Sequence, residues 1–317
     1  MKDTSNTIAV VGAGMAGLTC ANELAKAGFA PVLFDKGRGP GGRMAARRAE
    51  VAGETVSFDH GAQVLTAETP EFAAQLSAWE AEGAAALWAA AGEGAYIGTP
   101  GMNGPIRTMA ETLDVRWGVR IETLQRDGDV WLLGHDGGQE RFDHVICAIP
   151  AEQASVLLAD AAPEYAAQAK SIISTPCWAL MAAFDTALDL PDTVEGTETD
   201  AIHWAARNSA KPQRAGSECW VIHASADFSR QILEHSKDGA ANALLDAFAQ
   251  QTGVSLPDPI HTAAHRWLYA FPQVGEGAAG HLWNADAGLG VCGDWLHGPR
   301  AENAFLSGRA LAAAILA

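Results

Sequence analysis

Positive charge is scarce in this chain: 21 Lys and Arg stand against 38 Asp and Glu in 317 residues, a formal net charge of −17. So acidic a protein repels nucleic acid and anionic membranes, because phosphate binding needs cationic side chains. Any phosphate ligand it holds must be gripped by backbone N–H groups or by a few local arginines. Cysteine is sparse as well. Cys20, Cys147, Cys177, Cys219 and Cys292 are scattered with no C-x-x-C pair, which argues against a zinc ribbon or a redox dithiol. They read as reduced, buried thiols, and a cytoplasmic setting is expected. Residues 1–7 are polar and run directly into an apolar strand, without the basic region, apolar stretch and cleavage site of a signal peptide. No apolar run is long enough to span a bilayer. What remains, 48% apolar and 19% charged, excludes a disordered chain, and the length suggests about two domains.

The most legible stretch is the first sixty residues. Ile8-Ala9-Val10-Val11 is a continuous apolar run, as in a strand covered on both faces. Gly12-Ala13-Gly14-Met15-Ala16-Gly17 follows, then apolar residues at helical spacing until Gly28, then a second strand, Pro31 to Phe34, closed by Asp35. G-x-G-x-x-G is weak alone, but here a strand precedes it, a helix follows, and an acidic residue lies 18 positions beyond Gly17. Gly12 permits the tight turn, Gly14 the approach of backbone to a pyrophosphate, and Gly17 close helix–strand packing. The helix N-terminus offers N–H groups to phosphates, and Asp35 can accept from a ribose hydroxyl. A dinucleotide is implied; NAD and FAD both remain open on this motif.

Arg38-Gly39-Pro40-Gly41-Gly42-Arg43-Met44 brings three glycines and two arginines just after the ribose-binding strand. A simple NAD dehydrogenase would normally proceed there to another helix. At the far end, Leu289-Gly290-Val291-Cys292 reads as a strand, Gly293-Asp294 as a turn, and Glu302-Asn303-Ala304 as the opening of a helix. Such a helix dipole would stabilise negative charge on a flavin ring, with Asp294 binding a ribityl or pyrophosphate-side group. Dinucleotide-type chemistry at both ends implies that the chain returns to its first domain. The expected division is 1–68, 100–160 and 275–317 for a discontinuous cofactor domain, with 69–99 and 161–274 as the substrate domain. Between them a helix is expected over about 70–91, another ending near Leu113, strands over 115–124, 129–134, 141–149 and 178–184, and a helix over 229–252.

Val10–Gly17, Phe34-Asp35-Lys36, Gly41-Gly42-Arg43-Met44, Asp59–Gln63 and Gly293-Asp294 together resemble the flavin amine oxidase superfamily. Asp35-Lys36 with Gly42-Arg43-Met44, Gly61-Ala62-Gln63, Pro100-Gly101-Met102, the stretch Trp204 to Pro212 and His265-Arg266-Trp267-Leu268-Tyr269-Ala270 are similar, within it, to the renalase family and its bacterial branch. The resemblance covers essentially the whole chain. It implies an α/β fold: an FAD-binding Rossmann-type domain, p-hydroxybenzoate-hydroxylase-like, with an inserted α+β substrate domain. It implies noncovalent FAD, contacted by Gly12, Gly14, Ala16, Gly17, Asp35, Lys36, Arg38, Gly42, Arg43, Met44, Asp294, Asn303 and Ala304, and by the backbone of Val119 at adenine. The activity it implies is oxidation of 2- and 6-dihydro isomers of NAD and NADP, with molecular oxygen as acceptor and hydrogen peroxide as product.

The residues help to choose within that superfamily. An amine oxidase usually presents paired aromatics, commonly tyrosines, and a lysine holding water near the flavin. This chain has only Tyr96, Tyr165 and Tyr269, and outside the cofactor region only Lys211 lies in a plausible motif. Hydride transfer from a dihydropyridine needs ring stacking and orientation more than a strong base. Gln63, Arg207, Asn208 and Arg266 are the candidates for orienting a carboxamide, with Trp267 as the wall of the site. The alternatives are an amine oxidase or desaturase acting on another small reduced substrate, such as a small amine, and a non-catalytic flavin-fold binding protein. His261 and His265 stand at i, i+4, but Thr262 occupies the place of the glutamate in H-E-x-x-H and no third ligand is evident, so no residue is assigned to a metal. No G-x-S-x-G elbow is present.

Overall fold

The computed structural model describes residues 6–197, 199–214, 216, 218–275 and 279–317. Residues 1–5 of the polar N-terminal stretch lie outside them. The chain forms two compact units: Met1–Gly42, Ile106–Ser174 and Phe271–Ala317 make the first, and Arg43–Pro105 and Thr175–Ala270 the second.

The first unit is built on a six-stranded sheet, in the order His281–Asn284, Leu289–Cys292, His144–Cys147, Ile8–Val11, Val32–Asp35, Asp114–Trp117. All neighbours are parallel except the edge strand His281–Asn284. Strand parity divides the apolar residues between two layers. Ala9, Val11, Val145, Cys147, Leu289 and Val291 share one core with Leu133, Trp131 and Phe142 of an antiparallel ribbon. The glycine at 290 instead leaves room for Leu311 of the C-terminal helix Ala301–Leu316. The helix Met15–Lys26 ends in a Schellman arrangement: Phe29 N–H bonds Leu24 O at 3.1 Å, Gly28 N–H bonds Ala25 O at 2.9 Å, and Gly28 takes φ +96°.

The second unit carries a five-stranded sheet in the order Thr193–Glu195, Ile202–Arg207, Glu218–Ala224, Ile173–Phe184, His261–Gln273. Trp178, Leu180, Ala182, Trp220 and Ile222 face the helix Lys237–Thr252 through Leu244 and Phe248. The residues between them, Met181, Ala183, Cys219 and Val221, pack on Val51, Val56 and Phe58 of the hairpin Arg47–Val51/Glu54–Phe58.

That hairpin moves the division from its expected place. Residues 43–68 belong to the second unit because Val51, Val56 and Phe58 bury in its core. Residues 100–105 go with them, and 161–174 join the first unit, where the helix Pro163–Lys170 buries Ala166 and Ala169. Local chemistry corrects four further expectations. The helix expected over 70–91 stops at Ala81, and Gly83 at φ +73° turns the chain into a short strand, Ala85–Leu87. The helix expected to end near Leu113 spans Gly104–Ala110. The helix expected over 229–252 is two, Ala226–Gln231 and Lys237–Thr252, because the Ser236 hydroxyl caps the second by accepting from Gly239 N–H at 3.1 Å. The expected ribbon over 115–149 splits between parallel strands at its ends and the antiparallel set Ile121–Asp127, Val130–His135, Gly138–Phe142.

Candidate active site

In the first unit the candidate cofactor residues gather because they all follow the carboxyl ends of neighbouring parallel strands. Val11, Cys147 and Val291 are in register across three strands, and Val11 is in register with Phe34. Gly12–Gly17, Ala148–Pro150, Gly293-Asp294 and Asp35 therefore share one end of the sheet. The sheet's switch point falls between Ile8–Val11 and His144–Cys147, where α/β folds bind ligands. Gly12 sits at φ +105°, and a Cβ there would meet Ala148 O at 2.5 Å. A Cβ on Gly17 would collide with Gly12 O, and one on Gly308 with Ala16 O. These three glycines are required by the protein's own packing. Gly14 differs, since a Cβ there meets nothing within 4 Å. It precedes a helix that no side chain caps and whose first turn holds no acid. Open space before uncapped backbone N–H groups fits a pyrophosphate. A Cβ on Gly42 would stand 3.9 Å from Gly14 Cα, which brings that turn to the same place.

Asp35 accepts Ala13 N–H at 2.8 Å on one oxygen and Gly37 N–H at 2.7 Å on the other. Both bonds fix the carboxylate beside the glycine turn, and each oxygen retains a lone pair for a ribose hydroxyl. Val119 donates its N–H to Asp35 O at 2.9 Å, which fixes its backbone beside the Asp35 turn. Lys36 reaches Gln153 Oε1 at 2.8 Å, and burial followed by the Arg120 charge lowers its pKa. Arg38 is exposed. Asp294 is 4% exposed, and its carbonyl accepts His297 N–H at 2.8 Å and Gly298 N–H at 2.6 Å. Asn303 Nδ2 donates to Gly298 O at 3.2 Å, and Ala304 is buried in the first turns of the closing helix. The donor set, the open glycine and the ribose carboxylate fit an FAD. Arg43 and Met44 belong to the second unit, where Arg43 Nη1 donates to Ala270 O at 3.1 Å and Met44 is buried.

The second unit's polar residues converge on Asp59, a carboxylate that lies within a resemblance motif but has no role assigned from the sequence. Asp59 is fully buried; its Oδ1 accepts Met102 N–H at 2.8 Å, and its Oδ2 faces Arg214 Nη2 at 2.7 Å and Lys211 Nζ at 3.3 Å. Burial alone would raise its pKa, but the two cations and the N–H bond hold it below the usual carboxylate range. Lys211, also fully buried, reaches Gln63 Oε1 at 3.0 Å and Gln63 O at 3.4 Å, and burial lowers its pKa. Its ammonium thus has three oxygens around it. Gln63 Nε2 donates to Asp59 O and to Gly61 O (3.0 Å). Asn208 accepts Asp59 N–H at 3.1 Å and donates to Ser57 O at 2.8 Å. Gln63 and Asn208 are therefore brought together, but their amides are engaged in holding the Asp59 loop, not directed at a carboxamide.

Arg207 is a correction. It pairs with Glu218, lies 2.9 Å from Asp192 at Nε, bonds Leu188 O (3.1 Å) and Leu190 O (2.6 Å), and stacks on Trp220 at 4.9 Å. Those partners fasten its own sheet edge. Arg266 is a second correction, for adjacent strand residues point to opposite faces. It donates to Leu233 O at 2.6 Å and lies over Trp178 at 5.8 Å, on the helix side. Trp267 faces the other way. Its Nε1 donates to His60 O at 2.9 Å, and its ring lies 5.1 Å from His60 and 4.4 Å from His265. His223 Nε2 also meets His60 O, at 3.2 Å. Burial, first of all, pushes His60 down to about 4 and His223 to about 3, and lowers His265. Trp267 is thus walled by neutral imidazoles. Only strand parity in His265–Tyr269 could have separated Arg266 from Trp267 beforehand. Asp59 and Lys211 each lie in a stretch that the sequence marks, but nothing in their spacing pairs them with each other or with Arg214.

Among the described residues, no group of three or more His, Cys, Asp or Glu is placed to hold a metal, and no helix is long and apolar enough to cross a membrane. A family model described as flavin containing amine oxidoreductase matches residues 84–316, and one described as an NAD(P)-binding Rossmann-like domain matches residues 10–77. Coproporphyrinogen III oxidase of Mycobacterium tuberculosis is 28% identical over 193 residues, 58% of this chain and 42% of that protein. The matched stretch spans less than half of that relative's length. Two solved structures share the fold over nearly the whole chain. A fatty acid isomerase from P. acnes gives a TM-score of 0.71 at 11% identity, covering 100% of both chains. Cyclohexylamine oxidase from Brevibacterium oxydans gives 0.67 at 13%, covering 98% of each.

Proposed function

The chain belongs to the flavin containing amine oxidoreductase family, a class of FAD-dependent oxidoreductases, and from that premise we propose a renalase-like oxidase of isomeric dihydronicotinamides. In this reading the 2- and 6-dihydro forms of NAD and NADP are oxidised, and one proton and one O2 are consumed: dihydro-NAD(P) + O2 + H+ gives NAD(P)+ and H2O2. Gly12, Gly14, Ala16 and Gly17 would hold the pyrophosphate of a noncovalent FAD, Asp35 its ribose, and the Gly293–Ala304 segment its far end. When bound, FAD supplies a two-electron acceptor that oxygen can reoxidise.

The observation that carries the choice of substrate is Lys211. Its ammonium is surrounded by Asp59 and by two oxygens of Gln63, so it has no spare donor with which to hold a water for amine chemistry. Dihydropyridine oxidation needs no such base, because rearomatisation drives hydride loss. It needs a ring held flat, and Trp267, anchored through its indole N–H, offers a fixed surface for stacking. Gln63 and Asn208 act through the Asp59 loop as positioning residues. The five buried free thiols support a cytoplasmic setting.

The test is anaerobic mixing of the flavin-loaded protein with 2- and 6-dihydro-NAD. Bleaching of the flavin by either isomer, faster than by NADH, is the expected result. Bleaching no faster than with NADH sinks the renalase-like reading and leaves an amine oxidase or desaturase. A purified protein without flavin bands, and without them after FAD is added, leaves only the non-catalytic binding protein.

A further inference from the structure

We propose that Arg47 sets substrate charge: with Trp267, His60 and His265 it makes a docking face, within the second unit, for a planar anion, and so selects a phosphate-bearing dihydronicotinamide over a cationic amine. The proposal rests on the reading above for the identity of the ring, but not for its charge.

The placement of Arg47 follows from the hairpin. Arg47 is paired with Phe58 in the antiparallel register, and directly opposed residues share a face. The Phe58 ring stacks on His261, with centroids 5.7 Å apart and planes 22° apart. His261, His265 and Trp267 are spaced by two and four along one strand, so they line the same side of it. His60 closes the group, 4.9 Å from His265 and 5.1 Å from Trp267. Arg47 therefore stands at the head of an aromatic lane that ends on the half-buried indole.

Its charge has no counterion of its own. Arg47 is exposed and, in a chain with 38 acidic residues, makes no ion pair among the described residues. Asp59, whose charge reaches His60, is already held by Lys211 and Arg214. The positive field of Arg47 reaches His60, His261 and His265, and Lys237 adds to it at His265. A face that keeps its imidazoles neutral and carries an unpaired guanidinium repels an ammonium ion. It attracts a phosphate or carboxylate attached to a flat ring, and guanidinium geometry suits both.

The experiment compares the flavin-loaded wild type with Arg47→Gln, Arg47→Lys and Arg48→Gln. Arg48 is the control because it is paired with Ser57, on the other face of the hairpin. One measurement is the ratio of kcat/KM for 6-dihydro-NAD to that for the phosphate-free dihydronicotinamide riboside. The other is the Kd of NAD+, read by quenching of tryptophan fluorescence, which needs no turnover. Loss of one charged contact is expected to lower the ratio and raise the Kd about tenfold in Arg47→Gln. Arg47→Lys should recover most of the loss, and Arg48→Gln should match wild type. An unchanged ratio and Kd in Arg47→Gln overturn the proposal. If no dihydronicotinamide is oxidised, the reading of the reaction fails, while the NAD+ binding arm still decides for or against Arg47.

Discussion

At the scale of single residues, neighbouring glycines of one motif have different reasons to exist, and mutation separates them. Gly14 has open space where a Cβ would go and sits at φ −87°, which any residue adopts. Gly14→Ala is therefore expected to leave unfolding free energy within about 1 kcal/mol of wild type while weakening FAD binding, because the methyl enters the space through which backbone approaches the pyrophosphate. In Gly17→Ala the methyl meets Gly12 O, so stability itself should fall by about 1–3 kcal/mol. Urea unfolding and FAD titration of both variants check the contrast. A buried triad behaves differently. Asp59→Asn leaves Lys211 and Arg214 as uncompensated buried cations and should cost about 3–5 kcal/mol. Lys211→Met leaves the 2.7 Å Arg214–Asp59 pair intact and should cost clearly less. The opposite order in unfolding experiments would mean that Lys211, not Asp59, is the keystone of the cluster.

At the scale of elements, what was legible in the sequence was what is local. The glycine turn, its strand and its helix are consecutive, so their chemistry could be read in order. The second unit's polar cluster is assembled from distant segments: Asn208 is fixed by Ser57 and Asp59, and Gln63 by Lys211. No spacing in the chain reports such pairings, which is why Arg207 and Asn208 read as ligand donors when they fasten the fold. The same assembly makes a prediction about acid. His60 follows the hairpin, His223 lies on the strand Glu218–Ala224 and His265 on His261–Gln273, so three elements meet through neutral imidazoles. Burial depresses His60 to about 4 and His223 to about 3 from an unfolded value of 6.5. Below 6.5 the unfolded chain binds protons that the folded one refuses. Their stabilising contribution is therefore complete above pH 6.5 and is lost as pH falls toward about 4 for His60 and about 3 for His223, by up to about 1.4 kcal/mol per pH unit for each group. Urea midpoints at pH 7 and pH 5 measure the loss, and His60→Asn should shrink it.

At the scale of the whole molecule, net charge and local charge pull a dinucleotide in opposite directions. The protein carries −17, which would repel an anionic substrate at long range, whereas the proposed contact with Arg47 would attract it only at close range. The two effects differ in reach, and salt distinguishes them. The Debye length is about 30 Å at 0.01 M and about 8 Å at 0.15 M. Added salt therefore removes the long-range repulsion first, while a contact at hydrogen-bond distance is weakened much less. The bimolecular rate of flavin reduction by 6-dihydro-NAD, measured anaerobically by stopped flow, should rise about two- to threefold between 0.01 and 0.15 M NaCl. The phosphate-free riboside should show a flat profile, because it carries no charge for the field to act on. A rate that falls with salt for the dinucleotide would mean that the approach is governed by a larger cationic surface than Arg47 and its neighbours provide. On the proposed reading, the scarcity of positive charge has a functional consequence: with a net charge of −17, an unpaired cation such as Arg47 is where an anionic substrate would dock.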